Sequence, residues 1–219
     1  MPIVDTYQTI SAPCEGEFRD RGSKFIAYGF SVYTEAEWQA RLGDVRKLHP
    51  KARHHCYAYR LGLDGNSFRA NDDGEPSGTA GRPILGQIDS FQLTNVIVIV
   101  IRYFGGTKLG TSGLINAYRT STAEALSNAT IIEKVVEDVY EFTFDYALMS
   151  KVMNVVKKLD LEIVAQDFGN LGVIKVAIRQ SEIEKNLQQI KAKVADVRIE
   201  EVDQLEEIEG FEIKFCYTR

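Results

Sequence analysis

A chain of 219 residues that is 44% hydrophobic and 26% charged has the composition of folded protein, and is long enough for two ordinary domains; disorder is excluded as the starting assumption. The net charge of −5 is unevenly spread, with 15 Lys+Arg against 14 Asp+Glu in residues 1–135 and 11 against 17 in residues 136–219. An acidic second half argues against broad, sequence-blind binding to nucleic acid, which needs a basic face to release counterions, and leaves room only for a local patch such as Lys151, Lys157 and Lys158.

The opening MPIVDTYQTI lacks a basic stretch followed by an apolar one, so no signal peptide is expected. The longest apolar run, Val96 to Ile101, is too short to span a bilayer. Cys14, Cys56 and Cys216 are odd in number and far apart, which suits neither a disulfide framework nor a zinc site. These features predict a cytoplasmic protein without a membrane partner, metal or cofactor.

The first strand is KFIAYGFSVY. Thr34 and Glu37 then have the spacing of a capping box, ahead of Trp38, Leu42, Val45 and Leu48 on one face of a helix that ends near His49-Pro50. CYAYRLG and SFRAN read as paired strands around Asp64-Gly65-Asn66. Just upstream, His54 and His55 are neighbours on a strand and point to opposite faces, so they do not readily share a metal. One is expected to face the interior or a pocket and the other solvent, and a lone histidine there serves either as a satisfied structural group or as a general base. Tyr57 and Tyr59 share a face, which suits cross-strand packing or the stacking of bases.

DDGEPSGTAGRPIL, residues 72–85, follows. Asp72, Asp73 and Glu75 offer oxygen ligands to a hard cation or an acid and a base, although no EF-hand spacing is present. The alternative is a long turn with solvated acids. Ser77 or Thr79 is placed to cap a short helix with Pro83 in its first turn. NVIVIVIRY has the continuous apolar run of a strand buried on both faces, and leads into RYFGGTKLGTSGL, residues 102–114. A buried strand, a loop with Gly105, Gly106, Lys108 and Gly110, and a helix opening after Thr111-Ser112 form a sensible anion site. Arg102 and Lys108 supply charge, while neither the Walker A nor the dinucleotide spacing is present. The alternative is a plain strand-to-helix connection in which Ser112 caps the helix. That helix spans about Leu114 to Leu126.

In the second half VYEFTFD alternates as a half-buried strand, and Asp145 is placed to cap a helix carrying Leu148, Val152, Val155 and Leu159. EIVAQDF and VIKVAIR flank Gly169-Asn170 as a hairpin. Ser181 and Glu184 make a second capping box before Ile183, Leu187, Ile190 and Val194, and a strand carrying Ile213, Phe215 and Tyr217 closes the chain. The order β-α-β-β-α-β is that of a ferredoxin-like domain. The chain therefore reads as α+β, with domains at 1–132 and 133–219.

GSKFIAY, ARHHCYAYR, NDDGEPSGTAGRPIL and NVIVIVIRYFGGTKLGTSGLINAY together, in this order, resemble the IMPACT family, specifically its bacterial YigZ-type members. The resemblance implies a first domain like domain 2 of ribosomal protein S five, and a second like a ferredoxin-like domain of elongation factor G. Eukaryotic relatives regulate translation by competing for the activator of a stress-responsive initiation-factor kinase. They carry an extra N-terminal RWD domain, for which too few residues precede Gly22, so the competing role is not carried over. The motif carries over as Asp72 to Pro83 and Arg102 to Gly113, with Ser112 standing where many members have glycine. A non-enzymatic binding module contacting the ribosome, RNA or a translation factor is the expectation. The alternative is an enzyme that holds a small anion in a cleft between the two loops, through Arg102, Lys108 and loop amides, with Asp73 or His54 as base.

Overall fold

The computed structural model describes residues 5–205 and 207–219. They form two compact units, one of residues 7–134 and one of residues 135–219 together with Asp5 and Thr6. The chain is α+β in both.

In chain order the first unit runs β1 (Thr6–Ile10), β2 (Cys14–Asp20), β3 (Ser23–Ser31), α1 (Glu35–Leu48), β4 (His54–Leu61), β5 (Ser67–Asn71), α2 (Gly81–Ser90), β6 (Val96–Tyr103), α3 (Gly110–Ser127) and β7 (Ile131–Val135). Five strands form an antiparallel sheet in the order β2-β3-β6-β4-β5, while β1 pairs with β7. The apolar run of β6 makes it the central strand. Val96, Val98 and Val100 pack with Ile84, Ile88, Leu114 and Tyr118 of α2 and α3, while Ile97, Ile99 and Ile101 pack with Trp38, Leu42 and Val45 of α1. Helices on both faces are why every residue from Val96 to Arg102 is buried, in an antiparallel sheet where one wet face is commoner. Tyr57 and Tyr59 stack on Trp38, so that tyrosine pair is core and not a base platform.

The second unit continues with β8 (Glu137–Phe144), α4 (Met149–Lys158), β9 (Glu162–Phe168), β10 (Gly172–Arg179), α5 (Ile183–Ala195) and β11 (Phe211–Thr218). The sheet order β11-β8-β10-β9, all antiparallel, is the ferredoxin-like arrangement expected from the sequence. Phe142, Phe144, Ile174 and Val176 of the sheet pack on Val152, Val156, Ile190 and Val194 of the two helices. The hairpin β9–β10 turns at the expected place, with Gly172 opposite Phe168.

Helix starts depart most from expectation. Thr34 does accept the Glu37 N–H at 3.3 Å, but the Glu37 carboxylate accepts from Tyr33 N at 2.7 Å and not from Thr34, so the box is only half closed. Asp145 precedes a 3₁₀ turn over Tyr146–Leu148 and makes no side-chain cap; its carbonyl accepts from Leu148 N instead. Ser181 lies within a 3₁₀ turn, Gln180–Glu182, and no side chain caps α5. A tertiary partner explains this: Asp5 takes the Ser181 N–H at 3.1 Å and both Arg179 nitrogens, at 2.6 and 3.0 Å. Those bonds, the guanidinium first, hold the Asp5 carboxyl far below the usual carboxylate range.

His49 ends α1 between two tyrosines, 3.0 Å from Tyr28 Oη through Nε2 and 2.9 Å from Tyr103 Oη through Nδ1. Its carbonyl meets His55 Nε2 at 3.3 Å. Burial, chiefly, lowers the pKa of both histidines from their ordinary value. The unfolded chain therefore binds more protons than the fold as pH drops below about 6.5, and stability is full above that value and falls below it. Urea midpoints are expected to be lower at pH 5.5 than at pH 7.5, with a flatter pH dependence in a His49→Gln, His55→Gln double variant.

Candidate functional site

The site is built around a charge placed in the middle of a sheet. Arg102 sits on β6 directly between Phe25 of β3 and His54 of β4, and is only 7% exposed. Its guanidinium lies over the rings of Phe25 and Phe104, each centroid 5.5 Å away. A buried cation needs a counter-charge, and Glu75 supplies it: Arg102 Nη1 donates to Oε1 at 2.7 Å. Tyr118 of α3 donates to the same oxygen at 2.8 Å. Burial and the adjoining carboxylate push the Tyr118 pKa far up, so its hydroxyl stays a donor. Arg102 Nε, also buried, has no hydrogen-bond partner among the described residues.

The three acids of the 72–75 segment divide their work, and none is the solvated turn residue of the alternative reading. Asp72 caps α2 from nine residues away: its carboxylate accepts from Gly78 N at 2.8 Å, Ala80 N at 3.0 Å and Gly81 N at 2.9 Å. Burial opposes its ionisation, but those amides prevail and lower its pKa. Ser77 and Thr79 therefore do not cap the helix; Ser77 is exposed, and Thr79 is buried with its hydroxyl on the Pro76 carbonyl at 2.6 Å. Asp73 accepts from His55 N at 2.7 Å and lies 3.5 Å from Arg46, beside α1 and Trp38. It is turned away from Arg102, which removes it as a candidate base. Only Glu75 enters the interior.

Beside this pair opens a cavity of about 740 Å³, lined on one side by Lys51, Arg53, His54, Glu75 and Pro76 and on the other by Arg102 through Phe104 and Lys108 through Thr111, with Leu114. The two motif loops thus share one wall-to-wall space. His54 is the histidine that faces it, whereas His55 is buried on the opposite side of the sheet and not solvated. The Asp73 carbonyl, which can only accept, sits 2.9 Å from His54 Nδ1, so that nitrogen carries the proton and Nε2 is the acceptor of the neutral ring.

Of the glycine loop, Lys108, Gly110 and Thr111 line the cavity, and Gly105, Gly106 and Ser112 do not. Gly105 is a packing position: a Cβ there would lie 1.9 Å from the Gly22 carbonyl carbon, and its N–H donates to Ser23 Oγ at 3.1 Å. α3 opens at Gly110, earlier than the spacing suggested, with φ of +74° at that glycine and no side-chain cap, so Ser112 lies inside the helix. Among the described residues, no side chain caps its first amides, and Gly110 and Thr111 line the cavity. Among the described residues, Lys51, Arg53 and Lys108 have no carboxylate within ion-pair distance. Sequence reasoning passed over Lys51, Arg53, Phe104 and Tyr118. The two bases lie just before the histidine pair and were legible as local charge, but Tyr118 looked like any residue of a helical face.

Cys56 is next to the network without being reactive. Its thiol donates to the Asp72 carbonyl at 3.0 Å and lies 3.3 Å from the Tyr118 hydroxyl. Burial first, then the surrounding acids, raise its pKa well above the ordinary thiol value.

The Impact N-terminal domain profile matches residues 21–126, the segment that contains both loops and the cavity. IMPACT family member YvyE of Bacillus subtilis is 38% identical over 152 residues, 69% of this chain and 70% of the relative. The chain belongs to the IMPACT family. YigZ of Escherichia coli, another member, is 32% identical over 160 residues, 72% of this chain and 76% of its own. A crystal structure of a hypothetical protein aligns with a TM-score of 0.68 at 29% identity, covering 89% of this chain and 93% of that one. The likeness extends over both units. Among the described residues, no helix is long and apolar enough to cross a membrane.

Two variants test the network. Glu75→Gln leaves the Arg102 charge buried without a counter-ion and is expected to cost about 3–5 kcal/mol in urea unfolding at pH 7. Tyr118→Phe removes one donor and is expected to cost less, about 1–3 kcal/mol. Asp72→Asn weakens the acceptor of three amides, with an expected loss of about 1–2 kcal/mol in the same measurement.

Proposed function

We propose that this protein is a binding module linked to translation, and that the first unit holds an anionic, phosphate-bearing group of its partner in the cavity between the two motif loops. One observation carries the reading. Among the described residues, three cations without counter-ions, Lys51, Arg53 and Lys108, line a single cavity whose one lining carboxylate, Glu75, is already committed to Arg102 and Tyr118. Positive charge is thus in excess at the one place where the uncapped start of an 18-residue helix adds its own dipole. The link to translation comes from the family resemblance, and the ribosome, RNA and a translation factor are the partners it suggests.

Binding is favoured over catalysis because the cavity has no activated nucleophile. The Cys56 thiol is buried and held protonated, and among the described residues no hydroxyl or thiol hydrogen-bonds to His54. An enzyme acting on a small anionic substrate is the second reading. It draws on the free Nε2 of His54, which a bound phosphate ester could use as a base.

Inorganic phosphate is expected to raise the thermal midpoint of the protein, and a ligand at 100 times its dissociation constant adds about 2.7 kcal/mol. Lys108→Ala, at an exposed position, should fold normally and lose most of that gain. Co-sedimentation with ribosomes at low salt should weaken in a Lys51→Ala, Arg53→Ala, Lys108→Ala variant. No phosphate shift together with no co-sedimentation would defeat the reading.

A further inference from the structure

We infer that the cavity takes a 5′-nucleotide, its phosphate at the start of α3 among Lys51, Arg53 and Lys108 and its base on the exposed face of Phe104. The inference deepens the anion-binding reading above and rests on it.

Phe104 is the reason to go beyond a bare anion. It is 58% exposed at the rim of a cavity whose other feature is charge, and its position is enforced from both ends. On one side it follows the central strand β6; on the other, Gly105 is wedged against the Gly22–Ser23 backbone. Beneath the ring lies the Arg102 guanidinium, 5.5 Å from its centroid, itself pinned by Glu75. The ring is held from one face and open on the other. A fixed aromatic platform beside cations is how proteins hold nucleobases without reading their sequence.

The anion end is a built site and not a helix terminus alone. Arg102 lines the cavity, is only 7% exposed, and has no partner for Nε among the described residues. α3 starts at Gly110 with no side-chain cap, and that glycine, at φ +74° with open space where a Cβ would be, lets a ligand approach the first amides closely. Lys108 stands just before those amides. Three unpaired cations and a helix start exceed what a single phosphodiester neutralises, and suit the two or more charges of a terminal phosphate.

Size and lining agree. About 740 Å³ lies in the range of small-molecule sites and is ample for one nucleotide. Pro76, Leu109 and Leu114 give the cavity an apolar side that inorganic phosphate does not need, and a flat base uses. An acidic peptide would need the cations but not the platform.

A free nucleotide and the 5′-phosphorylated end of an RNA strand present the same chemistry, and affinity measurements separate them. Calorimetric titration of the full chain would compare ribose 5-phosphate, adenosine 5′-monophosphate and a 5′-phosphorylated single-stranded RNA octamer. Stacking of about 1–3 kcal/mol per base makes adenosine 5′-monophosphate roughly 5- to 150-fold tighter than ribose 5-phosphate. Phe104→Ala should bring that ratio close to one, while Lys108→Ala weakens all three. An octamer binding at least as tightly as the monophosphate assigns the site to an RNA end, and binding of the monophosphate alone assigns it to a free nucleotide. Equal affinity for ribose 5-phosphate and the monophosphate, unaffected by Phe104→Ala, overturns the nucleotide inference and leaves the anion reading intact. No binding by any of the three overturns both.

Discussion

The first unit depends on neutralising one guanidinium. Arg102 follows six alternating valines and isoleucines near the end of β6, with helices on both faces, and is too deeply buried for solvent to screen its charge well. The counter-charge comes from Glu75, in a loop 27 residues earlier. That single requirement ties the central strand to the 72–81 segment, and through Tyr118 to α3. Buried pairs of this kind do little for net stability, because desolvating both charges offsets most of their attraction. Their effect is on geometry: loop, strand and helix have one arrangement in which the charge is balanced.

The motif acids show how a polar segment can be dense without being catalytic. Asp72 satisfies three amides at the start of α2, Asp73 ties the edge of β4 to α1, and Glu75 turns inward. Each carboxylate has a separate set of donors and a separate direction. What is left facing the cavity is cationic, and the acids serve by holding that lining in place. Gly105 contributes in the same indirect way, by letting two backbones touch.

Local signals in the sequence carried much of the architecture. The alternation of β8, the hairpin at Gly169-Asn170 and the helical spacing of α4 and α5 were enough for the ferredoxin-like order, because each element buries one face with its own period. β1, β2 and β7 were not legible; they are short or carry charges without clean alternation, and their partners lie far away in sequence. Caps were the least legible feature. Ser181 and Asp145 had the right residue type and spacing, yet Asp5 took the Ser181 amide and 3₁₀ turns took the positions before α4 and α5. A capping preference of about 1 kcal/mol yields to a buried, doubly bonded carboxylate.

By itself the sequence determined the α+β class, the ferredoxin-like order of the second half, the central apolar strand, and the two loops as a paired signature. Those are properties of periodicity and local residue type, which act over a few residues. Only the tertiary structure decided which acid caps a helix, which histidine faces the cavity, and that Lys51, Arg53 and Phe104 join Lys108 there. Such facts depend on strand register and on contacts between residues tens of positions apart. Burial then settles which charges must be paired and which remain available to a ligand.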